Sequence, residues 1–185
     1  WNGTAWTEVG DLNTVAEDPT GTGATNTAAI CIGGDRNPIS GKTETWDGSS
    51  WTEVADLNTD RQYHGGCGTQ TAALVGGDDS VTEEFNGTCW AESGDFNTAK
   101  DEPGFFGTQT AAIAATGGPP PQTAVESWDG SSWTEVADLS QVRKDIAGTG
   151  TAALALAMQG RVAPNTGQNS TEEWALQQNV KTITD

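Results

Sequence analysis

ETWDGSSWTEVADL, at Glu44 to Leu57, returns as ESWDGSSWTEVADL at Glu126 to Leu139 with a single Thr/Ser exchange. A looser copy, EFNGTCWAESGDF, occupies Glu84 to Phe96, and WNGTAWTEVGDL occupies Trp1 to Leu12. The second tryptophan of each copy falls at Trp6, Trp51, Trp90 and Trp133, at spacings of 45, 39 and 43 residues. A period near forty marks one supersecondary unit per repeat, which cannot bury its own apolar face and must stack on its neighbours. Within each copy, Asn2-Gly3, Asp47-Gly48, Asn86-Gly87 or Asp129-Gly130 stands between short alternating runs. Such pairs tolerate positive φ and read as hairpin turns. The aromatics flanking them, Trp1/Trp6, Trp46/Trp51, Phe85/Trp90 and Trp128/Trp133, then meet across two strands.

A second block precedes each of the later copies. GTGATNTAAICIGG ends at Gly34, GTQTAALVGG at Gly77, GTQTAAIAATGG at Gly118 and GTGTAALALAMQG at Gly160. The Gly-Thr-Gln-Thr join at Gly68 to Thr71 reads as a tight connection between two strands. Their Ala and Gly suit inner strands near a crowded axis, where larger side chains would overlap. Each repeat thus supplies about four strands, and the chain reads as all-β. The units are a hairpin at 1–12 and repeats at about 13–57, 58–96, 97–139 and 140–185. Burying one tryptophan is worth ~4–6 kcal/mol as an upper bound, so the recurring rings read as packing between sheets.

Composition narrows function. The chain has 185 residues with 24 glycines, one tyrosine and one histidine, and a formal charge of −18 spread along its length. Such a surface repels phosphate backbones and anionic lipid, which argues against nucleic-acid partners and membrane-surface binding. No apolar run is long enough to span a bilayer, and no signal peptide is read. Beginning at Trp1, the chain reads as a processed product or a fragment. Cys31, Cys67 and Cys89 are odd in number and fall at different repeat positions, so no disulfide framework repeats.

Gly-Gly closing a strand, then Glu, an aromatic and a turn, then Trp and a later basic residue, resembles the kelch repeat. The residues that carry it are Gly33-Gly34, Gly76-Gly77 and Gly117-Gly118; Glu44, Glu83, Glu126 and Glu172; the aromatic pairs; and Arg61, Lys100 and Arg143. The resemblance covers nearly the whole chain and implies a β-propeller of about four four-stranded blades, or five, or part of a larger ring. The wording WDGSSWTEVADLNT with GTQTAAL also resembles repeats of aquatic phage virion appendage proteins and of secreted bacterial proteins. That implies an extracellular or virion-surface location. The fourth unit departs from the pattern: Gln159-Gly160 replaces Gly-Gly, and TEEWALQQNVKTITD lacks the turn and second Trp. Four inner pairs therefore face five outer hairpins, the first at Trp1 to Val9 and the last at Thr171 to Thr184. A spare hairpin can join a neighbouring subunit by strand addition.

Catalytic chemistry is thinly represented. His64, alone of its kind, cannot with Tyr63 make the copper site of some kelch-fold oxidases, and it reads as structural. SWDGSSW is similar to the Asp-box of sialidase propellers, but there one more residue separates Asp from Gly, and no arginine triad accompanies it. The recurring Glu44, Glu83, Glu126 and Glu172 read as structural acceptors of backbone amides, or as partners of Arg61, Lys100 and Arg143. Asp35, Asp78 and Asp79 lack the dense spacing of a calcium loop. No cofactor is expected. The expected function is a non-enzymatic structural module that self-associates or joins neighbouring subunits and presents the loops 36–42, 117–123 and 161–169. The alternative is binding of surface glycans through Tyr63, Phe105 and Phe106, and the third reading, less favoured, is a glycosidase-like enzyme. Sequons at Asn2, Asn86 and Asn169 are candidate glycosylation sites.

Overall fold

A computed structural model describes residues 3–35, 38–118, 120, 122–162 and 166–176. Every regular element is a strand. Sheet 1 contains β1 (Thr20–Thr25), β2 (Ala28–Ile32), β3 (Thr43–Trp46) and β4 (Trp51–Glu53) in sequence order. Sheet 2 contains β5 (His64–Thr69), β6 (Ala72–Gly77), β7 (Thr82–Phe85) and β8 (Trp90–Glu92). Sheet 3 contains β9 (Gly104–Thr108), β10 (Ala111–Ala115), β11 (Val125–Trp128) and β12 (Trp133–Glu135). Sheet 4 starts with β13 (Ala147–Gly150) and β14 (Leu154–Met158), then a two-stranded ribbon of β15 (Arg161–Val162) and β16 (Thr166–Gly167) intervenes. Among the described residues it ends at β17 (Thr171–Ala175), with three strands where four were expected; residues 177–184 of the hairpin expected over 171–184 lie outside the described residues. All pairings are antiparallel. The ribbon replaces part of the loop expected over 161–169.

The turns follow their sequence. Asp47 Oδ1 accepts the Ser49 and Ser50 amides at 2.8 and 2.9 Å, and Asp129 repeats this with Ser131 and Ser132. These hydrogen bonds hold the exposed Asp47 carboxyl at a pKa of about 2, the Ser50 amide being the largest cause. Gly48 and Gly130 supply the positive φ at 96° and 95°. The turns align Trp46 with Trp51, Phe85 with Trp90 and Trp128 with Trp133, with ring centroids 5.0–5.4 Å apart.

First strands pack in series, β1 on β5, β5 on β9 and β9 on β13, and no closed ring forms among the described residues. Glycine is required in this row because the rings of β9 lie across its neighbours β5 and β13. A Cβ on Gly65 would meet Phe105 Cδ2 at 2.6 Å, and one on Gly148 would overlap Phe106. Thr20 and Thr22 donate to the His64 and Gly68 carbonyls at 2.7 and 2.8 Å. The buried His64 ring in turn donates from Nε2 to the Ile32 carbonyl at 3.1 Å, tying sheet 2 to sheet 1.

Each unit's glutamate holds the residues that open that unit, and in the later three these directly follow the preceding sheet. Glu44 accepts the Asn13 and Thr14 amides, Glu83 those of Asn58 and Thr59, Glu126 those of Asn97 and Thr98, and Glu172 that of Ser140. Arg61 meets Glu83 at 2.9 Å, Lys100 meets Glu126 at 3.4 Å and Arg143 meets Glu172 at 2.6 Å. Both roles read for the glutamates from sequence are thus present. Ala16 stands three residues after Asn13, where Arg61, Lys100 and Arg143 stand in the later units.

Three apolar seams lie between consecutive sheets. Seam 1/2 joins Ile30, Ile32, Leu57, Ala73, Val75 and Phe85 around Trp90. Seam 2/3 joins Leu74, Phe96, Ala112, Ala114 and Trp128 around Trp133. Seam 3/4 repeats the same positions with Ile113, Ala115, Leu139, Ala155, Ala157 and Trp174, and has no fourth-strand tryptophan. An apolar cavity of about 140 Å³ lies there instead, lined by Ile113, Val125, Leu139, Ala155 and Trp174 among others. Val125 occupies the place of Thr43 and Thr82, whose hydroxyls accept Trp90 Nε1 and Trp133 Nε1 at 3.2 and 3.4 Å. The outer face of β14 is uncovered, with Leu154 63% and Leu156 39% exposed.

Of the hairpin expected at 1–12, Trp1 and Asn2 lie outside the described residues, and residues 3–16 form no strand.

Candidate functional site

The connections into β1, β5, β9 and β13 each place one residue in the left-handed region, at Asp18, Tyr63, Glu102 and Asp145 with φ of 49–53°. Such a conformation costs a side-chain-bearing residue ~1 kcal/mol or more. Its recurrence at four equivalent positions makes it a property of the repeat. What differs from unit to unit is the side chain displayed.

A cavity of about 480 Å³ opens among these connections, lined by Asp18, Tyr63, Asp101, Glu102, Lys144 and Arg161. The Glu102 amide donates to the Tyr63 carbonyl at 2.6 Å, fixing two of the walls to each other. Lys144 Nζ meets Glu102 Oε2 at 2.7 Å, and Arg161 pairs with Asp145. Burial pushes the Glu102 carboxyl up, helped by its hydrogen bond with Asp145. Burial pushes Asp145 the same way, but hydrogen bonds from Glu102 and Arg161 outweigh it and hold Asp145 below the ordinary value. Asp101 is raised by burial and by the nearby Asp78. The result is a polar mouth whose cations are already engaged by carboxylates, with one half-exposed phenol ring on its rim.

The three aromatic candidates separate. Tyr63 is 40% exposed at this mouth. Phe106 is 4% exposed in seam 3/4, and Phe105 packs against seam 2/3 with its ring 6.0 Å from Phe96 and 5.9 Å from Trp133. Phe106 is thus enclosed in the core, and Phe105 is half-buried with its ring engaged by aromatic neighbours. Adjacent on β9, they point to opposite sides, and both sides are covered by neighbouring sheets.

Asn86 and Asn169 are exposed, and Asn86 sits at its turn with Oδ1 accepting the Thr88 and Cys89 amides at 2.9 Å; Asn2 lies outside the described residues. Cys31 is buried, Cys67 is a buried free thiol and Cys89 is an exposed one. Among the described residues no group of three or more His, Cys, Asp or Glu is placed to hold a metal ion. Sequence reasoning missed Asp18, Asp101, Glu102, Lys144 and Arg161 as one constellation. The signal available was positional, since Asp18, Tyr63, Glu102 and Asp145 each lie five residues after Asn13, Asn58, Asn97 and Ser140. No protein-family model matches the chain, and neither does any curated protein.

Proposed function

We propose that the chain is a non-enzymatic, kelch-like β-propeller module of an extracellular or virion-surface assembly. It works as a rigid array that joins further subunits end to end and presents its connecting loops. The observation that carries this reading is the uncovered outer face of β14, whose Leu156 occupies the position that Ile30, Leu74 and Ile113 fill in buried seams. An apolar face built to the pattern of a seam marks a contact surface. Light scattering across a concentration series tests it: mass rising with concentration is expected, and a constant single-chain mass would defeat it.

A second reading is favoured by the mouth. Tyr63, ringed by carboxylates and by cations already paired, suits a neutral polyhydroxylated ligand such as a glycan better than an anion. A glycan array with the parent protein and Tyr63→Ala tests it. Binding that the variant loses supports the reading, and no binding by the parent removes it.

A further inference from the structure

Three observations converge on seam 3/4. β17 has β14 on one edge and no partner on the other among the described residues, whereas β3, β7 and β11 each carry a fourth strand there. The seam repeats the positions of the other two, with Val125 in place of Thr43 or Thr82, but it lacks the ring supplied by Trp90 or Trp133, and a cavity stands in its place. The fourth strands read Trp51-Thr52-Glu53, Trp90-Ala91-Glu92 and Trp133-Thr134-Glu135, and Trp6-Thr7-Glu8 repeats that string outside any strand, with Trp6 83% exposed.

We propose that Trp6-Thr7-Glu8 is the fourth strand of sheet 4 in a second copy of this chain. Existing pairings dictate the register. Trp46 faces Trp51, Thr45 faces Thr52 and Glu44 faces Glu53, so Trp174 faces Trp6, Glu173 faces Thr7 and Glu172 faces Glu8. The Trp6 ring then enters the cavity beside Val125. Val125 has no hydroxyl to accept the indole N–H, so this seam closes on apolar contact alone, weaker than its two counterparts.

The occupant is a second copy because of how the donor is tethered. Asn13 and Thr14 hold Glu44 of their own sheet 1, as Asn58 and Thr59 hold Glu83 of the sheet that follows β4. Glu8 lies five residues before Asn13, as Glu53 does before Asn58. The strand therefore belongs to a sheet preceding sheet 1. Within the chain β13 is not packed on β1 as β5 is, so sheet 4 of the same chain does not fill that place. Sheet 4 of another copy does, and its Leu154 and Leu156 are covered by sheet 1 in the same step. Strand addition of this kind joins main-chain hydrogen bonds to one anchoring side chain.

This inference rests on the end-to-end reading above, and its test separates the two. In a Cys89→Ser background, one chain carries Thr7→Cys and another Glu173→Cys, and the equimolar mixture is treated with a short bis-maleimide. A product of two-chain mass is expected, reduced about tenfold or more by Trp6→Ala in the Thr7→Cys chain. Mass that rises with concentration without this product overturns the strand assignment and leaves end-to-end assembly standing. Cross-linking of the doubly substituted protein at single-chain mass overturns the second-copy occupant. No association at any concentration overturns both.

Discussion

Seam 2/3 and seam 3/4 are built from corresponding residues: Leu74 and Ile113, Phe96 and Leu139, Ala112 and Ala155, Trp128 and Trp174. One encloses Trp133 and is filled, while the other encloses a cavity. The backbone positions of a repeat are thus kept without the side chain that completes them. The seam holds with three strands among the described residues, because the inner strands carry their own contacts, Gly148 against Phe106 among them. Completing a seam and forming the array are separable, and the following substitutions exploit that.

The largest effect is expected from Trp133→Ala, which converts the filled seam into a likeness of the open one. Its loss of packing and the cavity left behind are worth ~3–5 kcal/mol in urea unfolding. Trp6→Ala in dilute, single-chain protein is expected to stay within ~0.5 kcal/mol of the parent, since that ring is 83% exposed.

Next comes the carboxylate under each seam. Glu126→Gln leaves Lys100 buried without its counter-charge, at a cost of ~3–5 kcal/mol. Burial already holds Lys100 below the ordinary lysine pKa, and Glu126 is the group opposing that shift. Glu172→Gln is expected to cost less, because Arg143 keeps hydrogen bonds to the Gln159 and Ser170 carbonyls and Glu172 is a quarter exposed. Chemical denaturation of both variants at neutral pH gives the order.

His64 provides a pH dependence. Burial, with Arg61 adding to it, holds the ring at a pKa of about 4. The unfolded chain binds this proton below ~6.5, the folded chain only below about 4, so the unfolded state holds more protons between those values. Stability from this group is complete above pH ~6.5, falls as pH drops, and is lost by about pH 4, a span of ~3 kcal/mol. His64→Gln is expected to flatten the pH 5 to 6.5 part of the curve, where few carboxyls titrate.

Much of this was legible in the sequence because turns and aromatic pairs are local. Asp47-Gly48 dictates its hairpin, and the hairpin dictates the Trp46/Trp51 register. The glutamate ladder was legible through recurrence. What was not legible depends on neighbours. Phe105 and Phe106 read alike, since alternation distinguishes sides only when one side faces water. The shared Gly-Thr-x-Thr-Ala-Ala string aligns Gly148 with Gly107, but pairing to Ala155 and Ala112 puts Gly150 there, moving Leu156 into the place of Ile113. The mouth was hidden because its residues share a repeat position and no chemical type.

The smallest effect expected concerns a latch that also varies along the array. Gln109, on the turn between β9 and β10, donates Nε2 to the Ala73 and Phe85 carbonyls of sheet 2 at 3.2 and 2.7 Å. Gln70 donates once, to the Trp46 carbonyl at 2.7 Å, and Ala152 at the same position in sheet 4 cannot donate at all. The main-chain carbonyl at this site still accepts an indole N–H, Trp128 onto Gln109 and Trp174 onto Ala152, so truncating Gln109 leaves that bond intact. Gln109→Ala is therefore expected to cost ~1–2 kcal/mol and Gln70→Ala ~1 kcal/mol, read from urea midpoints at unchanged slope. Equal costs would mean that the second acceptor on Gln109 contributes nothing, and the grading of the seams would then rest on the tryptophans alone.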